Sequence, residues 1–533
     1  MESKKPNRKY KLKEHQPVRV GNSKRYILGS GSYGVVYSTN LKTAYKSFMM
    51  MELEWVREVV VTRYLSHPSI VQYHKVGVVL DNKFDLEKKR FQKKRIYTAQ
   101  AQMKYFPAVL SELSEFTDSA ILLIMNNISS AVSYLHDRNV LHRDIKEGNI
   151  LVDVKDDVIT KATLCDFGLG KFSVDADVRL EYEMITISHR PPELELSLAG
   201  DINQVLNSFG NSKSVSNPDD GKKNNYEMLF LYDHRVDVWS LCMVLVFMIT
   251  GEQFYSYVNT KSLKFSSVLK DVDKFYKILN RFLGKYVNRK LKHLDFYMDL
   301  LRMGLNRYED RPSMVDILRK INRYILTEKI QLPGDVYEAP QKITEESKSI
   351  LVTRTSQVAN NVHFCYRKKQ NHDIMCKALK EGWKPLITDI DFQSVLTKER
   401  IENDAVHSAT NNLYHTALKF KEKISQSINI MVSSGMIYAG CYLLTCVVLV
   451  DLYNEDPILE NLISDSSIFQ VMLRILALLD YNIIPIFQFV NAPEEKITLL
   501  VIDGKVPSPE PSTTVVDSLS LEDLTLPEKG IDS

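Results

Sequence analysis

The chain of 533 residues lacks any CxxC pair, and its six cysteines (Cys165, Cys242, Cys365, Cys376, Cys441 and Cys446) are scattered. That excludes a disulfide framework, suggests no zinc site and fits a reducing, intracellular compartment. An excess of one charge is also missing. Lys and Arg number 69 against 66 Asp and Glu, a net +3, which argues against wholesale nucleic-acid binding. The opening residues, MESKKPNRKYKLKEH, have no apolar stretch behind their charges, so no secretory signal is expected there. Long hydrophobic runs are nearly absent. One uncharged stretch lies between Lys423 and Asp451, and about 20 residues suffice to cross a bilayer. Ser425, Gln426, Ser427, Asn429, Ser433, Ser434 and Gly435 dilute its first half. It reads as buried helices or, alternatively, as a membrane anchor at 428–450.

What is present is a mixture typical of folded domains, 44% apolar and 25% charged. Residues 1–22 are basic and polar and read as a flexible tail. Strand, turn and helix patterns alternate over 23–330, interrupted by the charged segment 81–95. Its basic run, Lys88 to Arg95, suits a solvated hairpin loop, a nuclear signal or a nucleic-acid patch. Residues 197–225, rich in Ser, Asn, Gly, Lys and Asp, read as an inserted loop. A linker is expected over 331–400, helices over 401–495, and a disordered tail over 503–533, where Ser, Pro, Thr and acids dominate.

Residues 26–37, YILGSGSYGVVY, place Gly29, Gly31 and Gly34 in the pattern G-x-G-x-x-G-x-V. A dinucleotide fold uses a similar triplet to open a helix. Here Val35, Val36 and Tyr37 follow, and strand formers predict a hairpin instead. Glycines let backbone amides approach phosphate closely. Ala44-Tyr45-Lys46 then offers room for a flat base and a charge for phosphate. Residues 141–151 read LHRDIKEGNIL and 164–169 read LCDFGL. In this order and combination, these motifs resemble those of the eukaryotic protein kinases over about residues 24–325.

The resemblance implies an α+β, bilobal protein kinase fold, with a small, mainly β lobe and a larger, mainly α lobe. An all-α C-terminal domain follows. It implies ATP and Mg²⁺ as cofactors and protein Ser/Thr hydroxyls as acceptors. Gly29, Gly31 and Gly34 would cover the phosphates, with Leu28, Val36, Ala44 and Met103 around adenine and the backbone of Lys104 and Phe106 at its edge. Lys46 would contact the α- and β-phosphates and pair with Glu58. Asp144 would take the acceptor proton, Lys146 would steady the transferring phosphoryl, and Asn149 and Asp166 would hold Mg²⁺. Asp237 and Arg311 match structural landmarks, the latter pairing with Glu193. All five of Lys46, Glu58, Asp144, Asn149 and Asp166 are present, which favours catalysis over a kinase-fold scaffold. Lys146 and Thr186 fit the Ser/Thr pattern.

The loop GSGSYGVVY, with Ser32 and Tyr33, and Arg57 before Glu58 are similar to the cyclin-dependent kinases. Arg190 before Pro191 implies substrates with proline after the acceptor. The family's Trp-Tyr is Ser188-His189 here, and 197–225 is extra. Ungapped alignment puts Glu181 at the family's activating phosphothreonine and Arg57, Arg143 and Lys171 at its basic trio. Glu181 is then a permanent stand-in for phosphate, or else a solvated loop residue. The helical block at 401–495 is similar to a cyclin box, which would supply a cyclin-like partner in cis. It reads alternatively as an unrelated helical regulatory domain or the membrane anchor above. No nucleic-acid partner is expected.

Overall fold

The computed structural model describes residues 10–340 and 405–487, apart from 11, 21–22, 32–33, 49–53, 86, 173–177, 180–184, 193, 195–229, 232–233, 262, 270, 308–309, 429–430 and 450–465. Strands β1 (Pro17–Val20), β2 (Ser23–Gly31), β3 (Gly34–Ser38), β4 (Thr43–Phe48), β5 (Lys75–Asp85) and β6 (Arg90–Lys104) form one antiparallel sheet in the order β1-β2-β3-β4-β6-β5. Helix α1 (Glu54–Tyr64) connects β4 to the later strands. This is the small lobe.

The charged segment 81–95, expected as a solvated hairpin loop, is a hairpin whose strands extend to Asp85 and from Arg90, with Asp81 opposite Ile96 and Asp85 opposite Arg90. Its aromatic residues explain the extension. Phe84 and Phe91 meet edge to face at 5.0 Å, and the Arg25 guanidinium lies over Tyr37 and Phe91 while gripping the Asp81 carboxylate with both end nitrogens at 2.7 and 2.8 Å. Lys88, Lys89, Arg90, Lys93, Lys94 and Arg95 remain exposed.

In the large lobe, β7 (Ala108–Val109) leads to α2 (Asp118–Asp137), whose first turn is capped by Thr117 accepting from the Ala120 N–H. Strands β8 (Val140–Leu141), β9 (Ile150–Lys155), β10 (Val158–Leu164) and β11 (Lys171–Phe172) carry the cleft loops. Helices α3 (Arg235–Thr250), α4 (Phe254–Thr260), α5 (Phe265–Leu269), α6 (Val272–Tyr286), α7 (Leu294–Gly304) and α8 (Met314–Thr327) complete the lobe. Gly251 ends α3 in the left-handed region at φ 70°, and a Cβ there would sit 2.5 Å from the Ser114 carbonyl.

The first residues of the expected linker are part of this lobe. Asn126 donates to the Tyr337 carbonyl at 3.0 Å and accepts from the Tyr337 N–H at 2.8 Å, and Asn127 donates to the Asp335 carbonyl at 2.9 Å. Two asparagines in the middle of a buried helix require such partners, because an unpaired buried amide is costly. The strap reaches His67, whose ring meets Tyr337. The Ser69 N–H donates to His67 Nδ1 at 3.0 Å, so the ring proton sits on Nε2, facing Ser130 Oγ at 3.1 Å. Burial first, then Arg138 and Lys161, pull its pKa down to about 3. A base lowered on folding binds its proton more readily when unfolded. Its contribution is therefore complete above the unfolded pKa near 6.5 and is lost as the pH falls toward 3. Between pH 7 and 5 this amounts to about 2 kcal/mol. In His67→Asn, which keeps an acceptor for Ser69, urea denaturation at the two pH values should show the pH effect reduced by that amount.

Helices return as α9 (Ala405–Leu418), α10 (Lys421–Ile428), α11 (Ser434–Leu449), α12 (Ser466–Leu478) and α13 (Ile484–Phe487). Helix α11 is flanked by α9 and α12 and reaches α1 and β11; α13 touches α1 as well. The uncharged stretch between Lys423 and Asp451 is thus divided between two helices, and α11 is apolar because protein covers it. Among the described residues no single helix is long and apolar enough to cross a membrane. The tail expected over 1–22 is structured in its described part, where Tyr10 is buried and Pro17–Val20 form β1 against β2. Residues 1–9, the inserted loop at 197–225, the linker beyond 340 and the tail at 503–533 lie outside the described residues.

Candidate active site

The cleft between the lobes begins at the β2–β3 hairpin. Gly34 is demanded by the fold, since a Cβ there would lie 2.1 Å from the Ser47 carbonyl oxygen. Gly29 and Gly31 have nothing within 4 Å of a Cβ position, so their small size serves no contact within the chain. That leaves open space over the cleft where a ligand's backbone-facing atoms can approach. Ser32 and Tyr33 lie outside the described residues.

Sheet register then lines up the pocket. Val36 stands opposite Lys46, Lys46 opposite Ala101, and Ala44 opposite Met103. Ala44 and Met103 are buried, and Leu28 and Val36 pack partly buried beside them. The Tyr105 N–H turns to the Lys42 carbonyl at 3.1 Å. In extended chain, neighbouring groups face the other way, which leaves the Lys104 carbonyl and Phe106 N–H for the cleft. The Lys104 ammonium lies over the Phe106 ring.

Lys46 Nζ donates to both Glu58 oxygens at 2.7 and 2.8 Å and to Asp166 Oδ1 at 3.0 Å. Burial pulls the ammonium's pKa down, and the carboxylates of Asp166 and Glu58 more than reverse this, so it stays charged. Burial raises Asp166, but Lys46 outweighs that and holds its carboxyl below the ordinary range. Glu58 is pushed upward by burial against the pull of Lys46. It also accepts a hydrogen bond from the Tyr73 hydroxyl.

Across the cleft, Lys146 Nζ reaches Asp144 Oδ2 at 2.7 Å and Thr186 Oγ1 at 3.1 Å, while the Thr186 hydroxyl donates to Asp144 Oδ1 at 2.5 Å. Asn149 Nδ2 donates to the Asp144 carbonyl and to Oδ2, both at 2.8 Å. With its nitrogen engaged, the Asn149 amide has its oxygen left over. That oxygen and the Asp166 carboxylate form the hard donor set that Mg²⁺ prefers, so these residues fit the ion.

Asp237 organises the loop from below. It accepts from the backbone N–H groups of His142 and Arg143, each at 2.9 Å, and meets His136 Nε2 at 2.9 Å. Burial raises its carboxyl, yet the hydrogen bond from His136 and the charges around it keep the pKa lowered. Arg143 and Asp166 adopt left-handed φ values of 62° and 69°. Such conformations cost energy and persist where surrounding bonds over-determine them.

Of the residues expected around an activating phosphate, Arg143 Nε donates to the Leu169 carbonyl at 2.6 Å and Arg57 Nε to the Val447 carbonyl at 2.9 Å. Lys171 pairs with Leu141 in β11–β8. Glu181 lies outside the described residues, as does Glu193, the expected partner of Arg311. The Arg311 guanidinium lies over the Trp239 ring. Two contacts were not anticipated from sequence: Tyr73 on Glu58, and Arg57 at the end of α11. A tyrosine in the stretch SIVQYHKV is the one visible sign of the first.

Residues 23–200 match the family model of the protein kinase domain. The fold is that of a protein kinase. The kinase domain is similar to a probable CTD kinase subunit alpha homolog of Encephalitozoon cuniculi, at 27% identity over 253 residues, covering 46% of this chain and 61% of that one. It is also similar to cyclin-dependent kinase 1 of the same organism, at 30% identity over 180 residues, 32% of this chain and 57% of the relative. A third relative is the CTD kinase subunit alpha of Schizosaccharomyces pombe, at 26% over 242 residues, 43% of this chain and 33% of the relative. The chain thus spans less than two thirds of the length of each of these relatives.

Proposed function

We propose that this chain is an ATP- and Mg²⁺-dependent Ser/Thr protein kinase of the cyclin-dependent type. The single observation that carries the reading is the joint placement of Lys46, Glu58 and Asp166 on one side of the cleft and Asp144, Lys146, Asn149 and Thr186 on the other. Magnesium, when bound, supplies charge neutralisation of the phosphate oxygens. Lys46 holds the α- and β-phosphates, and Lys146 steadies the γ-phosphoryl group. Asp144 orients the acceptor hydroxyl and receives its proton as the new O–P bond forms and the bond to the β-phosphate bridge breaks, releasing ADP. Measuring ³²P transfer to a generic protein substrate, beside Asp144→Ala, tests this. Mg·ATP binding without transfer would instead favour a scaffold. The four free cysteines among the described residues suit an intracellular setting.

Proline-directed specificity is a second part of the reading. Arg190 donates through Nε and Nη2 to the Ile185 carbonyl at 3.1 and 3.0 Å. Ile185 adjoins Thr186, which touches Asp144, so this carbonyl borders the acceptor position. A carbonyl already satisfied gives no partner to a substrate N–H, and proline has none to offer. A peptide array should show enrichment for proline after the acceptor, reduced about tenfold in Arg190→Ala, the order of one charge-assisted hydrogen bond. Absence of enrichment in the wild type would refute it.

The third part is activation in cis by the C-terminal helices, in the manner of a cyclin. Support comes from α1. Trp55, Val56, Val59, Val60 and Val61 are all 0–2% exposed, so the helix is covered on every side. Arg57 donates to a carbonyl in the last turn of α11, and Arg63 pairs with Asp480 just past α12. Helix C-termini expose unsatisfied carbonyls and negative potential, which arginines complement.

A further inference from the structure

Glu58 is 2% exposed, and both of its oxygens are engaged by Lys46. A carboxylate in that setting is stable only when its remaining acceptor capacity is also used. Tyr73 supplies the extra donor. Its ring is 3% exposed and its hydroxyl donates to Glu58 Oε1. The backbone leading to Tyr73 is fastened on one side to the end of β10, two residues before Asp166: the Val71 N–H donates to the Leu164 carbonyl at 2.9 Å, and the Leu164 N–H to the Ser69 carbonyl at 2.8 Å. On the other side, Arg63 Nη1 donates to the Tyr73 carbonyl at 3.1 Å. The remaining donors of the same guanidinium reach the C-terminal helices, Nε to the Asp480 carbonyl at 3.4 Å and Nη2 to its carboxylate. Asp480 and Tyr481 have left-handed φ values of 49° and 59°, which turn the chain at the end of α12 so that both groups of Asp480 meet Arg63.

We propose that Tyr73 is a positioning residue for the nucleotide site: its phenol holds Glu58 against Lys46, and Arg63 ties its backbone to the C-terminal helices. A ring needed only to fill the core would work equally well as phenylalanine. Here the hydroxyl makes a charge-assisted bond to the group that orients Lys46, and such bonds are the strong ones. The tie through Arg63 is weaker, because the Asp480 side chain is 78% exposed and solvent screens the pair. The inference rests on the kinase reading only for its turnover readout.

The test uses the full chain and Mg·ATP as the probe, with calorimetric affinity and steady-state kinetics measured together. Tyr73→Phe should weaken Mg·ATP binding about tenfold, the scale of one hydrogen bond to a charged group, and raise KM for ATP more than it lowers kcat. The melting temperature should change little, since the ring is kept. Arg63→Met should weaken binding severalfold. Because it acts through Tyr73, the double variant should lose less than the product of the two single losses. Wild-type affinity in Tyr73→Phe, or a lowered melting temperature as its sole effect, would overturn the role of the hydroxyl. A double variant that loses the full product would overturn the tie. If the wild type binds Mg·ATP without transferring phosphate, the kinase reading fails while the affinity ratios still decide the role of Tyr73.

Discussion

Replacing Asp166 by asparagine should lower phosphoryl transfer by at least about 100-fold, or about 2.7 kcal/mol in the barrier, while the melting temperature stays within a few degrees. The two expectations have different physical origins. Asparagine keeps an oxygen near the position that now accepts from Lys46 at 3.0 Å, so the packing of the cleft survives. What disappears is the negative charge of a carboxylate whose ionisation Lys46 secures. A hard dication bound by one carboxylate and one amide loses its main electrostatic attraction when that carboxylate becomes neutral. Assaying transfer at increasing Mg²⁺ separates the cases. A metal-site defect is partly relieved by excess ion, whereas activity above a tenth of wild type at ordinary Mg²⁺ would refute the ligand assignment.

A chain ending at residue 340 should bind Mg·ATP yet transfer phosphate at least about tenfold more slowly, the effect of about 1.4 kcal/mol on the competent arrangement. It keeps the lobe strap at 335–337 but removes α11 and α13 from the outer side of α1. Apolar side chains of α1 would then meet water, and Arg57 and Arg63 would lose the Val447 and Asp480 carbonyls. The helix is rich in β-branched residues, Val56 and then Val59, Val60, Val61 and Thr62 in succession, so packing rather than propensity holds it. A milder full-length variant guards against aggregation of the shortened chain. In Gly440→Val a Cβ would stand 3.2 Å from Val471 Cγ1 and 3.4 Å from the Met472 nitrogen, forcing α11 from α12. It should slow transfer in the same direction but by less. Full activity in the shortened chain would end the proposal of activation in cis.

Much of the cleft could be read along the chain because its chemistry is local. The spacing within HRDIKEGN and the strand-forming residues after Gly34 require no knowledge of distant contacts, and the structure gathers those residues in one cleft. Other features resisted reading for definite reasons. The charges at 81–95 look like a loop because two of the partners of Phe91, the Tyr37 ring and the Arg25 guanidinium, are more than fifty residues away. The strap at 335–337 has little periodicity because its bonds run from backbone to Asn126 and Asn127. Helix α1 carries a sign as well: Trp55, Val56, Val59, Val60 and Val61 are spread around much of its circumference rather than along one stripe, which announces burial on more than one side.

The sequence by itself determined the motif order, the glycine hairpin, the donor set for a hard cation and the helical character of the described residues within 405–487. These follow from residue type and spacing over short distances. Tertiary structure alone decided that α11 and α13 cover α1, that Arg57 and Arg63 serve two helix ends about 390 and 417 residues further along, and that the Tyr73 hydroxyl completes the shell of Glu58. Such pairings join groups whose individual preferences are nonspecific, since an arginine donates to any carbonyl and a buried carboxylate accepts from any donor. Only the packing of the whole chain chooses among them.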